Sequence, residues 1–203
     1  MESKIARLIS YILHPLLMPT YALLLLFNQN TYYVLILPEK LKWALTGLIL
    51  GNTFILPTVI IWLMLQKGLI SSLQLPERKE RTFPFVIAAI SYFATYFMLG
   101  NMGLPSVFLL FLLGGAILVV VAAIINLFWK ISIHMMGIGG LAGGFAGLMF
   151  THHLNAPLLI ILLIMLGGIT GFARLKLNTH NEAQVYTGYV AGALIMSGIF
   201  ILL

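Results

Sequence analysis

Seven stretches of this chain are apolar enough to lie in the core of a bilayer. They run roughly over residues 5–27, 43–65, 83–99, 106–129, 133–150, 157–172 and 185–203. A spanning helix needs about 20 predominantly apolar residues. In hydrocarbon every backbone N–H and C=O must be satisfied within the spanning structure, so segments of this kind fold as helices. The pattern predicts an all-α protein, a polytopic transmembrane helix bundle of six or seven spans. The third and sixth stretches are short, and are expected to reach into the interface or to be partly buried. Charged residues make up 8% of the chain and hydrophobic residues 61%, against roughly 25% charge in a soluble domain. A water-soluble globule, a disordered chain and a coiled coil are excluded.

At 203 residues, seven spans leave no room for a second domain, and the chain reads as a single integral membrane domain over 1–203. The N-terminus has a short charged start and a long apolar run without a small-x-small cleavage site, so it reads as a retained first span. Pro15, Pro19 and Pro57 fall inside apolar stretches and predict kinks. The chain has no cysteine, which excludes disulfides, thiolate nucleophiles and cysteine metal sites.

Polar residues concentrate in three loops: Gln74 to Pro84, Trp129 to His134, and Arg174 to Gln184. Two spans separate each loop from the next, so all three are expected on one face of the membrane, where they can converge. That face also carries the N-terminus. Its basic residues are Lys4, Arg7, Lys67, Arg78, Lys79, Arg81, Lys130, Arg174 and Lys176, against Lys40 and Lys42 on the other. By the positive-inside rule the polar face is cytoplasmic, and a bacterial inner (plasma) membrane is the expected location. The formal charge of +6 then reads as a topology signal and as affinity for anionic headgroups, not for nucleic acid.

The last three segments are rich in glycine. Gly137, Gly139, Gly140, Gly143, Gly144 and Gly147 form overlapping small-xxx-small patterns, continued by Gly167, Gly168, Gly171, Gly188 and Gly192. Small residues let helix backbones approach closely in lipid. Such packing would hold the second and third polar loops near each other.

Ionisable side chains near membrane depth are expensive, which makes a cluster of them a functional hypothesis. His180, Gln184 and Gly188 recur every four residues, so they share one helix face at the start of the last segment. Arg174 closes the sixth. A guanidinium fork suits phosphate oxygens, and a neutral imidazole is a competent nucleophile or base. The second loop supplies Lys130, Ser132 and His134. Ser132 is placed to cap the fifth helix, whose exposed N–H groups favour an anion, and His134 suits a general acid. The first loop supplies Arg78, Lys79 and Arg81. Taken singly, an arginine at a helix end also reads as a headgroup anchor.

Arg174, five intervening residues, His180, three intervening residues and Gln184 resemble the last signature of the type-2 phosphatidic acid phosphatase superfamily, Ser-Arg-x5-His-x3-Asp. Ser132-Ile133-His134 is similar to that family's Pro-Ser-Gly-His, and two spans separate the motifs, as in the family. The resemblance covers about residues 76–192. It implies a metal- and cofactor-independent membrane hydrolase acting on a lipid phosphate such as phosphatidic acid, phosphatidylglycerol phosphate or an isoprenyl phosphate. His180 would match the nucleophile that forms a phosphohistidine, and His134 the general acid. Gln184 would match the residue that orients the nucleophile. Arg174, Lys130, Ser132, Arg78 and Arg81 would match the phosphate cradle. This chain has Gln184 where the family has aspartate, Ala173 where it has serine, and no Lys-x6-Arg-Pro signature. Two other readings stay open: a lipid-phosphate binding protein or carrier without turnover, and a small transporter.

Other polar residues carry less. His14 precedes Pro15 and reads as a packed or interfacial histidine. His152 and His153 fall in an opposite loop, and Asn52 is a candidate for an interhelical hydrogen bond.

Overall fold

A computed structural model of the chain describes residues 2–73, 75 and 77–203; Gln74 and Pro76 of the first polar loop lie outside it. Its helices are α1 (Glu2–Ile12), α2 (Met18–Phe27), α3 (Tyr32–Leu35), α4 (Glu39–Leu50), α5 (Leu56–Gln66), α6 (Thr82–Gly100), α7 (Ser106–Phe128), α8 (Ile133–His152), α9 (Pro157–Lys176) and α10 (Glu182–Leu202). The described residues contain no strand. Counting α1 with α2, α4 with α5, and the turn before α6, seven helical stretches are long and apolar enough to cross a membrane. The protein is an all-α integral membrane protein.

The two short apolar stretches extend beyond their apolar cores, as expected. The third stretch runs over Lys79–Gly100 and the sixth over Pro157–Lys176, 22 and 20 residues. Apolar composition marks only the part of a helix that lipid must cover. Charged residues with long stems continue the helix beyond it, their heads reaching for the interface.

The prolines act where expected. Pro15 lacks an N–H and its ring clashes with a preceding turn; it also pushes its predecessor into extended backbone. His14 accordingly has φ −69° and ψ 135°. The chain passes from α1 through a 3₁₀ turn at Pro15–Leu17 into α2. The His14 Nδ1 accepts a hydrogen bond from the Leu16 N–H at 3.3 Å. Before Pro57 the helix widens into a π segment, Gly51–Ile55, an arrangement that gives the ring space. Pro19 sits in the first turn of α2, where its missing N–H would have no helical partner.

The chain forms two compact units, one of Met1–Met18 with Phe128–Leu203, the other of Pro19–Leu127. In the first, α8 and α10 are parallel and packed backbone to backbone. A Cβ on Gly139 would strike the Tyr189 carbonyl, one on Gly143 the Ala193 carbonyl, and one on Gly147 the side chain of Phe200. From the other side, a Cβ on Gly188 would come within 2.8 Å of the Ser132 carbonyl, and one on Gly192 would strike the Met136 carbonyl. Both sets repeat every four residues and rise together in number, which is the signature of a parallel small-residue crossing. The Ser197 hydroxyl donates across it to the Gly143 carbonyl at 3.0 Å.

In the second unit the rings of Phe27 and Phe108 lie 5.7 Å apart, and Tyr92 packs so closely on α7 that a Cβ on Gly115 would meet its ring at 2.9 Å. Asn52 reaches the Met98 sulfur of α6 at 3.7 Å. Asn126, near the end of α7, donates to the Arg78 carbonyl at 2.9 Å and anchors the loop before α6.

Candidate functional site

Three helix ends of the first unit meet. At the start of α10, Asn181 is the N-cap, with φ −89° and ψ 170°. Its Oδ1 accepts from the Gln184 N–H at 2.9 Å. In return the Asn181 N–H donates to Gln184 Oε1 at 3.4 Å. This is a capping box, which satisfies two N–H groups that a helix start otherwise leaves open. The residue before it is His180, whose Nδ1 lies 2.9 Å from the same Oε1. The Asn181 N–H donates to that atom, so it is the amide oxygen; such an oxygen only accepts, so the His180 proton sits on Nδ1. The lone pair of the neutral ring is then on Nε2.

α9 ends on Arg174 and Lys176. Asn178 turns the chain back with φ +50°, a left-handed conformation that asparagine tolerates. Thr179 closes the reversal by donating both its N–H and its hydroxyl to the Arg174 carbonyl, at 3.3 and 3.0 Å. The Arg174 guanidinium is buried and donates through NH1 to the Ser10 hydroxyl of α1 at 3.0 Å. Ser10 in turn donates to the Ala6 carbonyl at 2.9 Å. An ion pair between Glu2 and Lys176 ties the other end of α1 to α9.

α8 begins at Ser132. It occupies the N-cap position, with φ −83° and ψ 103°, but the expected side-chain cap is corrected: the hydroxyl closes no helix N–H. The backbone is held instead by the Ser132 N–H, which donates to the Gln184 carbonyl at 3.4 Å. The close crossing at Gly188 keeps the two helix starts together. Ser132 is fully buried, and its Oγ has no hydrogen-bond partner among the described residues.

His134 follows, also buried, with its Nε2 3.1 Å from the Ser10 carbonyl oxygen. A carbonyl only accepts, so that nitrogen carries the proton and Nδ1 carries the lone pair. The Nδ1 is buried without a hydrogen-bond partner among the described residues. The His14 ring stands edge-on to His134, with centroids 5.5 Å apart and planes at 82°. Arg174, His14 and His180 all lie within electrostatic reach of the His134 imidazole.

Of the residues singled out in the sequence, His180, Gln184, Arg174, Ser132 and His134 are therefore gathered in one unit, with Lys130 two residues before Ser132 in the same loop. Arg78 and Arg81 belong to the other unit. There Arg81 is no solvated loop residue: it is 6% exposed, and its Nε donates to the Leu75 carbonyl at 2.9 Å. Two residues of the cluster, Ser10 and His14, did not come from the motifs. The available signal was a serine and a histidine four apart inside an apolar run, which is costly unless both are used.

The cluster brings together a buried guanidinium, two imidazoles whose protons are assigned to opposite ring positions, and a serine hydroxyl, at the start of a 20-residue helix. Such a set suits an anion with several oxygens. Comparison with known proteins gives no match, whether to a family model, a curated protein or a solved structure.

Proposed function

We propose that the protein is a membrane phosphatase acting on a lipid phosphate, with its polar end on the cytoplasmic side. The observation that carries the reading is the fixed His180 tautomer. A histidine whose Nδ1–H is tied to an acceptor presents Nε2 as a nucleophile, and a buried arginine and a second histidine lie in the same unit.

In the proposed reaction Arg174, Lys130 and the Ser132 hydroxyl hold the phosphoryl oxygens and stabilise the charge that spreads over them in the transition state. His180 Nε2 attacks phosphorus in line, and the bond to the lipid oxygen breaks. His134 Nδ1, which carries a lone pair, takes the proton of the phosphate monoester monoanion and passes it to that oxygen. Water then attacks the phosphohistidine, His134 Nδ1 takes its proton, the N–P bond to His180 breaks, and inorganic phosphate leaves with that proton. No step draws on Arg78 or Arg81; Arg81 already serves the loop before α6.

The test is phosphate release by purified protein from phosphatidic acid, phosphatidylglycerol phosphate and an isoprenyl phosphate, beside His180→Ala. Release by the parent and none by the variant supports the reading. Absence of release from every substrate by the parent overturns it. The neutral Gln184 favours a second reading, a lipid-phosphate binding protein without turnover, because an amide cannot balance an imidazolium charge as a carboxylate does. Binding of phosphatidic acid that survives His180→Ala, with no release by the parent, would select it.

A further inference from the structure

We infer that Ser10 is a positioning residue of this site, so that the N-terminal helix α1 is part of its machinery; the inference rests on the phosphatase reading above. Ser10 makes two contacts that bear on the chemistry. Its hydroxyl accepts from Arg174 NH1 at 3.0 Å. Its carbonyl accepts from His134 Nε2 at 3.1 Å. One residue thereby sets both the aim of the guanidinium and the protonation pattern of the second imidazole.

The geometry explains why a serine does this. A hydroxyl has one proton to give and lone pairs to receive. Here the proton goes to the Ala6 carbonyl one turn back, at 2.9 Å. That choice leaves the oxygen facing Arg174 as an acceptor only, the polarity a guanidinium needs. The residue is 8% exposed and Ala6 is fully buried. A lysine in place of Arg174 would supply a single charged nitrogen with no fixed fork.

The Ser10 carbonyl matters for a different reason. With its Nε2–H tied there, His134 can exchange a proton only at Nδ1, the ring nitrogen that has no partner among the described residues. The tie survives any side chain at position 10, whereas the hydroxyl contact does not. A substitution at Ser10 therefore probes the Arg174 contact separately from the orientation of His134.

The experiment uses the full chain in nanodiscs, with phosphatidic acid as substrate, and compares the parent with Ser10→Ala, Ser10→Thr, Arg174→Lys and the double variant Ser10→Ala/Arg174→Lys. Hydrogen bonds to charged groups correspond to about ten- to a hundredfold in an equilibrium. Ser10→Ala is expected to lower kcat/KM by that range, and Ser10→Thr, which keeps the hydroxyl, to restore most of it. In the Arg174→Lys background Ser10→Ala is expected to change kcat/KM by less than about twofold, since a single lysine nitrogen drawn to the anion no longer depends on Ser10 for its aim. The same cycle read as phosphatidic acid affinity covers a parent that binds without turnover. An equal loss in both backgrounds, or no loss from Ser10→Ala in an active parent, overturns the positioning role while leaving the phosphatase reading intact. A parent that neither releases phosphate from nor binds phosphatidic acid, phosphatidylglycerol phosphate or an isoprenyl phosphate overturns both.

Discussion

Gln184 Oε1 is shared between the Nδ1 of His180, 2.9 Å away, and the backbone N–H of Asn181, 3.4 Å away. One amide oxygen thus completes the N-terminal cap of α10 and fixes the tautomer of the imidazole beside it. The cap and the proposed nucleophile are one structural unit. The amide cannot rotate to present nitrogen to His180 without also losing the Asn181 N–H, one of the two bonds of the cap.

An aspartate at position 184 preserves an acceptor and adds a charge. Gln184→Asp is expected to retain or raise phosphate release from phosphatidic acid. Gln184→Leu removes the acceptor and frees the wrong tautomer, with an expected loss of roughly 10²- to 10⁴-fold. Rates of the two variants beside the parent decide it. A strong loss in Gln184→Asp would mean that the site is built around a neutral partner.

The other half of the box is predicted to be a stability feature. Asn181→Ala removes the acceptor of the Gln184 N–H and is expected to lower stability by about 1 kcal/mol. His180 keeps its bond to Gln184, so turnover at a temperature well below unfolding should change little. Thermal unfolding in detergent and phosphate release, measured on the same preparation, separate the two effects.

The crossing of α8 and α10 predicts a sharp contrast between glycines. Gly143 has the Ala193 backbone where its Cβ would go, whereas Gly168 has open space. Gly143→Leu should therefore destabilise by at least about 1–3 kcal/mol, the usual range for overpacking, because backbone cannot yield as a side-chain tip can. Gly168→Ala should be neutral or slightly stabilising. Melting temperatures of the two variants test the pair, and equal behaviour would contradict the close approach.

In the second unit Asn126 is 2% exposed and holds the Arg78 carbonyl. Asn126→Leu leaves that carbonyl without its side-chain donor, and a loss of about 1–2 kcal/mol is expected. The loop before α6 should then be cut faster by protease, which limited proteolysis of the purified protein will show.

What the sequence alone determines is the class of fold and the concentration of polar residues in three loops. Seven apolar stretches in a chain with few charges have one solution in a bilayer, because the backbone must satisfy itself there. The period of the helix places Gln184 and Gly188 on one face, but the expectation that His180 shares that face is corrected: His180 lies outside α10, before the N-cap Asn181, and meets Gln184 through the side chain that closes the capping box. The glycine pattern announced a close crossing but not its partners or direction; those came from Tyr189, Ala193 and Ser197 meeting the α8 glycines in register. Hydropathy did not give the helix ends at Lys79 and Lys176, where charged residues carry the third and sixth stretches beyond their apolar cores. Only tertiary structure decided the place of α1. Ser10 is more than a hundred residues from His134 and from Arg174, and no periodicity links positions so remote. It joins them because Pro15 stops α1, an Ala6–Ser10 face packs inward, and two buried polar groups there need a carbonyl and a hydroxyl that water cannot supply.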